Sequence, residues 1–291
     1  MKRFILWCVL LCSSQACLAL APYVQGDKLP GADLPAQLDQ VDRKLQAAGF
    51  TVVGRHTPPG LPGHASLVVT DPDMLAAVRN LGGPAIVAAA IRVGLQSDGT
   101  LSYMNPAYWY RAYLRGQYPA AQAAAQSVQA RLARALGAGP GFGGDVPEGD
   151  LANYRYMLGM ERFDSDNSLL GTHASFEAAL KTVQDNLAKG VGATRRVYEV
   201  VIPGNKTAVF GVAMNDPGDG EGWWVNKIGA GHVAGLPYEL FIVDNKVYAL
   251  YARYRIALAW PALGMGQFMR IVNAPEAIRS TLTRVAGGTT P

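Results

Sequence analysis

The sequence predicts an α/β chain of two related repeats, each a mostly antiparallel sheet covered by helices: an α+β sandwich made twice. Three observations carry this. A helical phrase, Leu38, Val41, Leu45 and Gly49, returns as Leu180, Val183, Leu187 and Gly190, its three apolar positions shifted by 142 residues. Asp71-Pro72 recurs as Asp216-Pro217, and both copies of the helix lead into strand-like segments. A closing helix with Val128, Leu132 and Ala135 is echoed by Ile278, Leu282 and Val285. Solenoid repeats are far shorter, so this is a duplicated domain. Two like halves tend to pack face to face, and a ligand can sit between them.

The elements follow in order. Residues 1–19 read as a secretory signal: Lys2-Arg3 is the positive start, 4–12 the apolar core, 13–16 the small polar end. That core is too short to span a bilayer permanently. Cleavage after Ala16 or Ala19 fits the small-x-small rule, and Cys17 offers a lipid anchor as the alternative. Residues 20–136 form the first repeat. Asp33 is placed as an N-cap with Pro35 in the first turn, and the helix ends at Gly49. Strands over 50–55 and 65–70 flank Thr57-Pro58-Pro59-Gly60. Asp71 caps a short helix through Met74, Leu75 and Val78, closed by Gly82-Gly83. Strands over 85–95 and 100–104 flank Ser97-Asp98-Gly99, a hairpin signal. An alanine-rich helix over 119–136 completes the repeat.

Residues 137–172 join the halves: a glycine-rich linker, then a bridging segment holding Tyr154, Tyr156, Met157 and Met160. The linker's Gly-x-Gly spacing follows a helix instead of a strand, which argues against a phosphate loop. Residues 173–291 form the second repeat, with Ser175 as helix cap. Strands over 196–202 and 208–214 turn at Pro203-Gly204-Asn205-Lys206. Strands over 238–243 and 247–260 turn at Asp244-Asn245. On the last one, Tyr248, Leu250, Ala252, Tyr254, Ile256, Leu258 and Trp260 share one face, with Tyr251, Arg253 and Arg255 opposite.

Composition excludes much chemistry. All three cysteines, Cys8, Cys12 and Cys17, lie in or beside the signal, so disulfides, thiolate metal sites and cysteine nucleophiles are not expected. The formal charge of +4 falls by two once Lys2 and Arg3 are removed, and no basic run exceeds two residues, which argues against nucleic acid. Only 16% of residues are charged, so apolar surface is expected to meet a partner. No segment after the signal is long and apolar enough for a spanning helix.

The order helix, strand, strand, short helix, hairpin, helix resembles the bacterial family called domain of unknown function 302. The residues that carry the resemblance are Leu45-Gln46-Ala47-Ala48-Gly49-Phe50, Asp71-Pro72, Asp98-Gly99 and Asn105-Pro106. The second copy departs from the pattern, with Gly190-Val191 opposite Gly49-Phe50. The resemblance implies a small α/β sandwich, in some members a tandem pair, and transfers no catalytic residue.

The candidate chemistry is thin. His56 and His64 flank a Pro/Gly turn, and with His232, Met157 and Met160 they are the residues that could hold copper or haem iron; exposed turn histidines and core methionines account for them as well. No Gly-x-Ser-x-Gly elbow is present, and Gly63-His64-Ala65-Ser66 lacks the trailing glycine. Asp216, Asp219 and Glu221, like Asp164 and Asp166, miss the calcium-loop pattern. The aromatic clusters offer more. Tyr108, Trp109, Tyr110 and Arg111 follow the first hairpin, and Trp223-Trp224 lie in the matching region of the second copy. Arg253 and Arg255 could receive an anionic head group, or pair with an acid such as Glu239. The expected function is that of an exported, non-enzymatic binding or accessory protein, in the periplasm or secreted, using these residues for a small apolar ligand, a lipid or a protein partner. No cofactor is expected on that reading. A periplasmic metal- or haem-handling protein is the alternative, and a hydrolase with an unrecognised site the second.

Overall fold

A computed structural model describes residues 18–31 and 33–289. The first seventeen residues, with Cys8, Cys12, Cys17 and the signal reading, lie outside them. The first repeat contains β1 (Ala19–Leu20), β2 (Tyr23–Gln25), α1 (Leu34–Ala47), β3 (Thr51–His56), β4 (His64–Thr70) and α2 (Pro72–Leu81). It continues with β5 (Ile91–Gln96), β6 (Leu101–Met104), α3 (Pro106–Leu114) and α4 (Tyr118–Leu136). The connection contributes β7 (Gly141–Phe142) and β8 (Val146–Pro147). The second repeat contains β9 (Leu169–Thr172), α5 (Phe176–Ala188), β10 (Thr194–Ile202), β11 (Thr207–Met214) and α6 (Glu221–Ile228). It ends with β12 (Tyr238–Val243), β13 (Lys246–Tyr248), α7 (Ala252–Ala259), α8 (Met265–Phe268) and α9 (Ala274–Val285).

The two sheets share one topology. Strands run β3-β4-β5-β6-β2 in the first and β10-β11-β12-β13-β9 in the second, all neighbours antiparallel, and β7 extends the first sheet alone. Even an irregularity repeats: the pairing slips between Val52 and Gly54 on β3, and between Arg196 and Tyr198 on β10. Two related repeats are therefore a property of the fold. Helices α1 and α4 pack together beside the first sheet, and α5 and α9 beside the second. Local capping fits the sequence: Asp71 accepts from Met74 N at 2.9 Å, Asn105 from Ala107 N at 3.1 Å and Ser175 from Ala178 N at 3.2 Å. Asp33 occupies an N-cap position without a side-chain bond.

The inner faces of the sheets meet through an exchange. A 3₁₀ segment of the first repeat, Gly83–Ala89, packs on β11 and β12; its counterpart, Ala230–Gly235, packs on β4, β5 and β6. Edge strands β3 and β10 also touch, so closely that a Cβ on Gly54 would stand 2.6 Å from the carbonyl oxygen of Val197. This is the self-complementary contact of a two-fold dimer, made within one chain.

Three expectations are corrected. Residues 247–260 are not one strand: β13 stops at Tyr248 and α7 follows. Residues 85–89 belong to the 3₁₀ segment, and β5 starts only at Ile91. Residues 106–114, unassigned from sequence, form α3. Helices α3 and α7 are buried nearly all round, so they lack the polar face that reveals a helical period. In α7 the chance alternation of Tyr254, Ile256 and Leu258 imitates a strand. The glycine-rich stretch is also more than a linker, since β7 pairs with β2 and β8 with β1.

Candidate functional site

Two places concentrate chemistry: a sealed seam between the repeats and an open groove beside it. The seam begins with a symmetric pair. Arg92 is the second residue of β5 and Glu239 the second of β12, equivalent positions, and their side chains form an ion pair across the interface. Arg255, on α7, joins them: Nε donates to Glu239 Oε2 at 2.9 Å and Nη2 to Gly235 O at 2.8 Å. Arg92 Nε donates to Ala234 O at 3.1 Å, and Tyr113 Oη to Glu239 Oε1 at 2.9 Å. The Trp109 ring lies 4.9 Å from the Arg255 guanidinium and 5.7 Å from that of Arg92. All five side chains are buried. Two cations thus share one anion, and the aromatic face and backbone carbonyls meet the remaining charge. Burial alone would raise the Glu239 carboxyl, but the charges of Arg255 and Arg92 outweigh it and hold the group at about 2. Burial pushes the Tyr113 hydroxyl up to about 12.

A second sealed pair lies nearby. His56 Nε2 bonds Glu221 Oε1, with both side chains fully buried. Ser66 stands opposite His56 on the adjoining strand. Ser, His and Glu are the types of a nucleophilic triad. Here, however, Ser66 Oγ donates to Leu236 O at 3.0 Å, and no face of the trio reaches solvent. The arrangement locks repeats together and offers no seat for a substrate carbonyl.

The residues singled out from sequence scatter. Tyr108, Trp109, Tyr110, Trp224 and Arg255 are buried, so they line no accessible surface. Arg111 is half-buried, pairs with Glu148 and lies over Tyr118. Trp223 carries the Lys227 ammonium 3.4 Å from its ring centre. Arg253 donates to Glu161 through Nε at 3.1 Å. Of the candidate metal residues, His56 faces Glu221, and His64 Nδ1 bonds Pro62 O at 2.9 Å. His232 stacks on Trp260, its Nδ1 bonded to Ala259 O and its pKa lowered by burial. Met157 is exposed and Met160 half-buried. Among the described residues, no three His, Cys, Asp or Glu side chains gather as a metal site would need.

The groove, of about 480 Å³, opens on the inner face of the second sheet. Its floor is apolar: Phe241 and Tyr248 stack at 5.5 Å with an 18° interplanar angle, beside Val243 and Leu169. Pro84 of the first repeat, Arg115 and residues 163–168 form its walls. Arg115 pairs with Asp164 at 3.1 Å and lies over Phe163. Ser168 Oγ is buried there without a hydrogen-bond partner. Burial raises the Tyr248 hydroxyl. An aromatic floor, a few polar groups and an open mouth suit a small, largely apolar ligand.

Comparison with known protein families, curated proteins and solved structures finds no match for this chain.

The sequence reading missed the groove because its floor joins a hairpin, β12–β13, to the distant strand β9, and its walls come from Pro84, Arg115 and the bridging segment. A signal was nonetheless present. Phe241 and Val243 alternate along one strand on the face that also carries Glu239, so an apolar strip had to continue from the charged seam.

Proposed function

We propose that this chain is an exported, non-enzymatic binding protein and that the groove is its ligand site. The observation that supports this is the stacked Phe241–Tyr248 floor of an open apolar groove beside the contact between the repeats. A largely apolar ligand would cover Phe241, Tyr248 and Leu169, and Ser168 Oγ would accept or donate one hydrogen bond. Export rests on Lys2-Arg3 and the apolar residues 4–12, with the periplasm or the exterior as destination and Cys17 as the alternative anchor point. Kinship with the domain of unknown function 302 family rests on the motifs quoted above. Native mass spectrometry of protein isolated from its own periplasm tests the binding role. A bound small molecule is expected on the parent and lost from Val243→Trp, whose indole would fill the groove. Retention of the same mass by that variant would refute the site.

A further inference from the structure

The two covering segments differ at one telling position. Ala230–Gly235 follows Gly229 and packs on β4, β5 and β6 of the first sheet. Gly83–Ala89 follows Gly82 and packs on β11 and β12 of the second. Counted from those two glycines, His232 and Ala85 hold the same place. The half-buried His232 ring stacks on Trp260 at 5.3 Å and lies 5.1 Å from Tyr23 and 5.6 Å from Phe142. Its Nδ1 donates to Ala259 O at 3.0 Å. Trp260 directly follows α7, just as Arg115, a wall of the groove, directly follows α3. A methyl group at Ala85 cannot fill the space that an imidazole fills, and its neighbour Pro84 is itself a groove wall. Over the first sheet a planar ring with one hydrogen bond closes this position; over the second it stands open.

The open side offers partners for such a ring. Phe241 and Tyr248 supply aromatic surface, and offset or edge contact with another ring adds to simple burial. Ser168 supplies the polar contact. Its N donates to Ser165 O and its O accepts from Ala249 N, each at 2.9 Å, so its backbone is satisfied. Its hydroxyl is not: the residue is 4% exposed and Oγ has no partner. A buried hydroxyl left unpaired is costly, and a ligand atom that bonds it removes the cost. Charge along the groove cancels. Arg115 and Lys246 face Asp164 and Asp166, and Arg115 is already spent on Asp164 at 3.1 Å. A charged ligand would gain no net attraction there in return for its lost hydration, whereas an uncharged one gives up little.

We infer that the groove takes an uncharged, planar heteroaromatic compound, its ring against Tyr248 and Phe241 and one ring heteroatom or its N–H bonded to Ser168 Oγ. The ligand would do for the second sheet what the His232 ring does for the first. This rests on the binding role proposed above and names its ligand class. Displacement of the fluorophore N-phenyl-1-naphthylamine from the full chain tests it with three competitors. Indole is flat with one N–H, indene has nearly the same shape without it, and cyclooctanol carries a hydroxyl on a puckered saturated ring. Indole is expected to displace the fluorophore at about tenfold lower concentration than indene, with cyclooctanol weaker than either. Ser168→Ala removes a hydroxyl that bonds nothing, so the fold is kept; it should bring indole to within about twofold of indene and leave indene unchanged. Tyr248→Leu should weaken indole by about fivefold. Suppose indene or cyclooctanol equals indole on the parent, or Ser168→Ala leaves indole's advantage intact, while Val243→Trp still abolishes the fluorophore signal. The ligand class is then wrong and the groove remains the binding site. A parent that does not bind the fluorophore, or a Val243→Trp variant that binds it equally, would overturn both.

Discussion

The two repeats share a topology yet treat the same row of their sheets in opposite ways. In the first sheet the row His56, Ser66, Gly94, Ser102 is small and polar. The 3₁₀ segment of the other repeat lies directly on it: Ser66 bonds Leu236 O, and a Cβ on Gly94 would stand 2.7 Å from Ala234 N. In the second sheet the corresponding row is Val200, Val209, Phe241, Tyr248, Leu169, large and apolar. There the covering segment leaves part of the floor bare, and the groove results. The first repeat also gains β7 along β2, with Tyr23, Phe142 and His232 packed together. Duplication supplied two equivalent surfaces; one became an interface and the other kept an opening.

The comparison can be broken hardest at its shared centre. Glu239→Gln would leave Arg92 and Arg255 buried without a counter-ion, and a loss of about 3–5 kcal/mol is expected in urea denaturation. A loss below about 1 kcal/mol would mean that the seam does not hold the repeats together. The same carboxyl gives a pH signature. Its folded pKa, about 2, lies below the ordinary 4.5, so its stabilisation is present above pH 4.5 and is lost as pH falls toward 2. The amplitude is on the order of 3 kcal/mol. Stability measured across that window should fall with acid in the parent and fall less steeply in Glu239→Gln.

Next comes the asymmetric row. Gly94→Ala should cost about 2 kcal/mol, because the backbone of Ala234 has no room to retreat. Phe241→Leu, at the equivalent position beside the groove, should cost only about 1 kcal/mol, since that side adjoins open space. Thermal denaturation of both would show the order, and a reversed order would contradict the reading of the two rows. The smallest effect belongs to the half-buried Arg253–Glu161 pair. Removing this bridge by Glu161→Gln should change stability by about 1 kcal/mol, as the Arg253 side of it is partly screened by solvent.

Much of the architecture was legible in the sequence. Leu38, Val41, Leu45 and their counterparts Leu180, Val183, Leu187 mark α1 and α5, because amphipathic helices on the outer faces keep a clear period. Asp71 and Ser175 mark helix starts through a local rule. The interior was harder to read. Trp109 and Arg255 are equivalent residues of α3 and α7, but both helices are submerged and carry no stripe. Arg92 and Arg255 look like surface charges until Glu239, distant from Arg92 in sequence, is placed between them. Pairing Arg255 with Glu239 was weighed from sequence and is what the fold contains. The bonds of Arg92 and Tyr113 to Glu239, and the groove floor, were missed, since each rests on contacts between elements.

The account holds that binding resides where the repeats differ, on the bare row of the second sheet. Titration of the apolar fluorophore N-phenyl-1-naphthylamine into the parent and into Val243→Trp tests this most directly. The parent should enhance its fluorescence saturably, and Val243→Trp should abolish the enhancement while keeping its thermal midpoint. Equal enhancement in both proteins would place binding elsewhere and contradict the account.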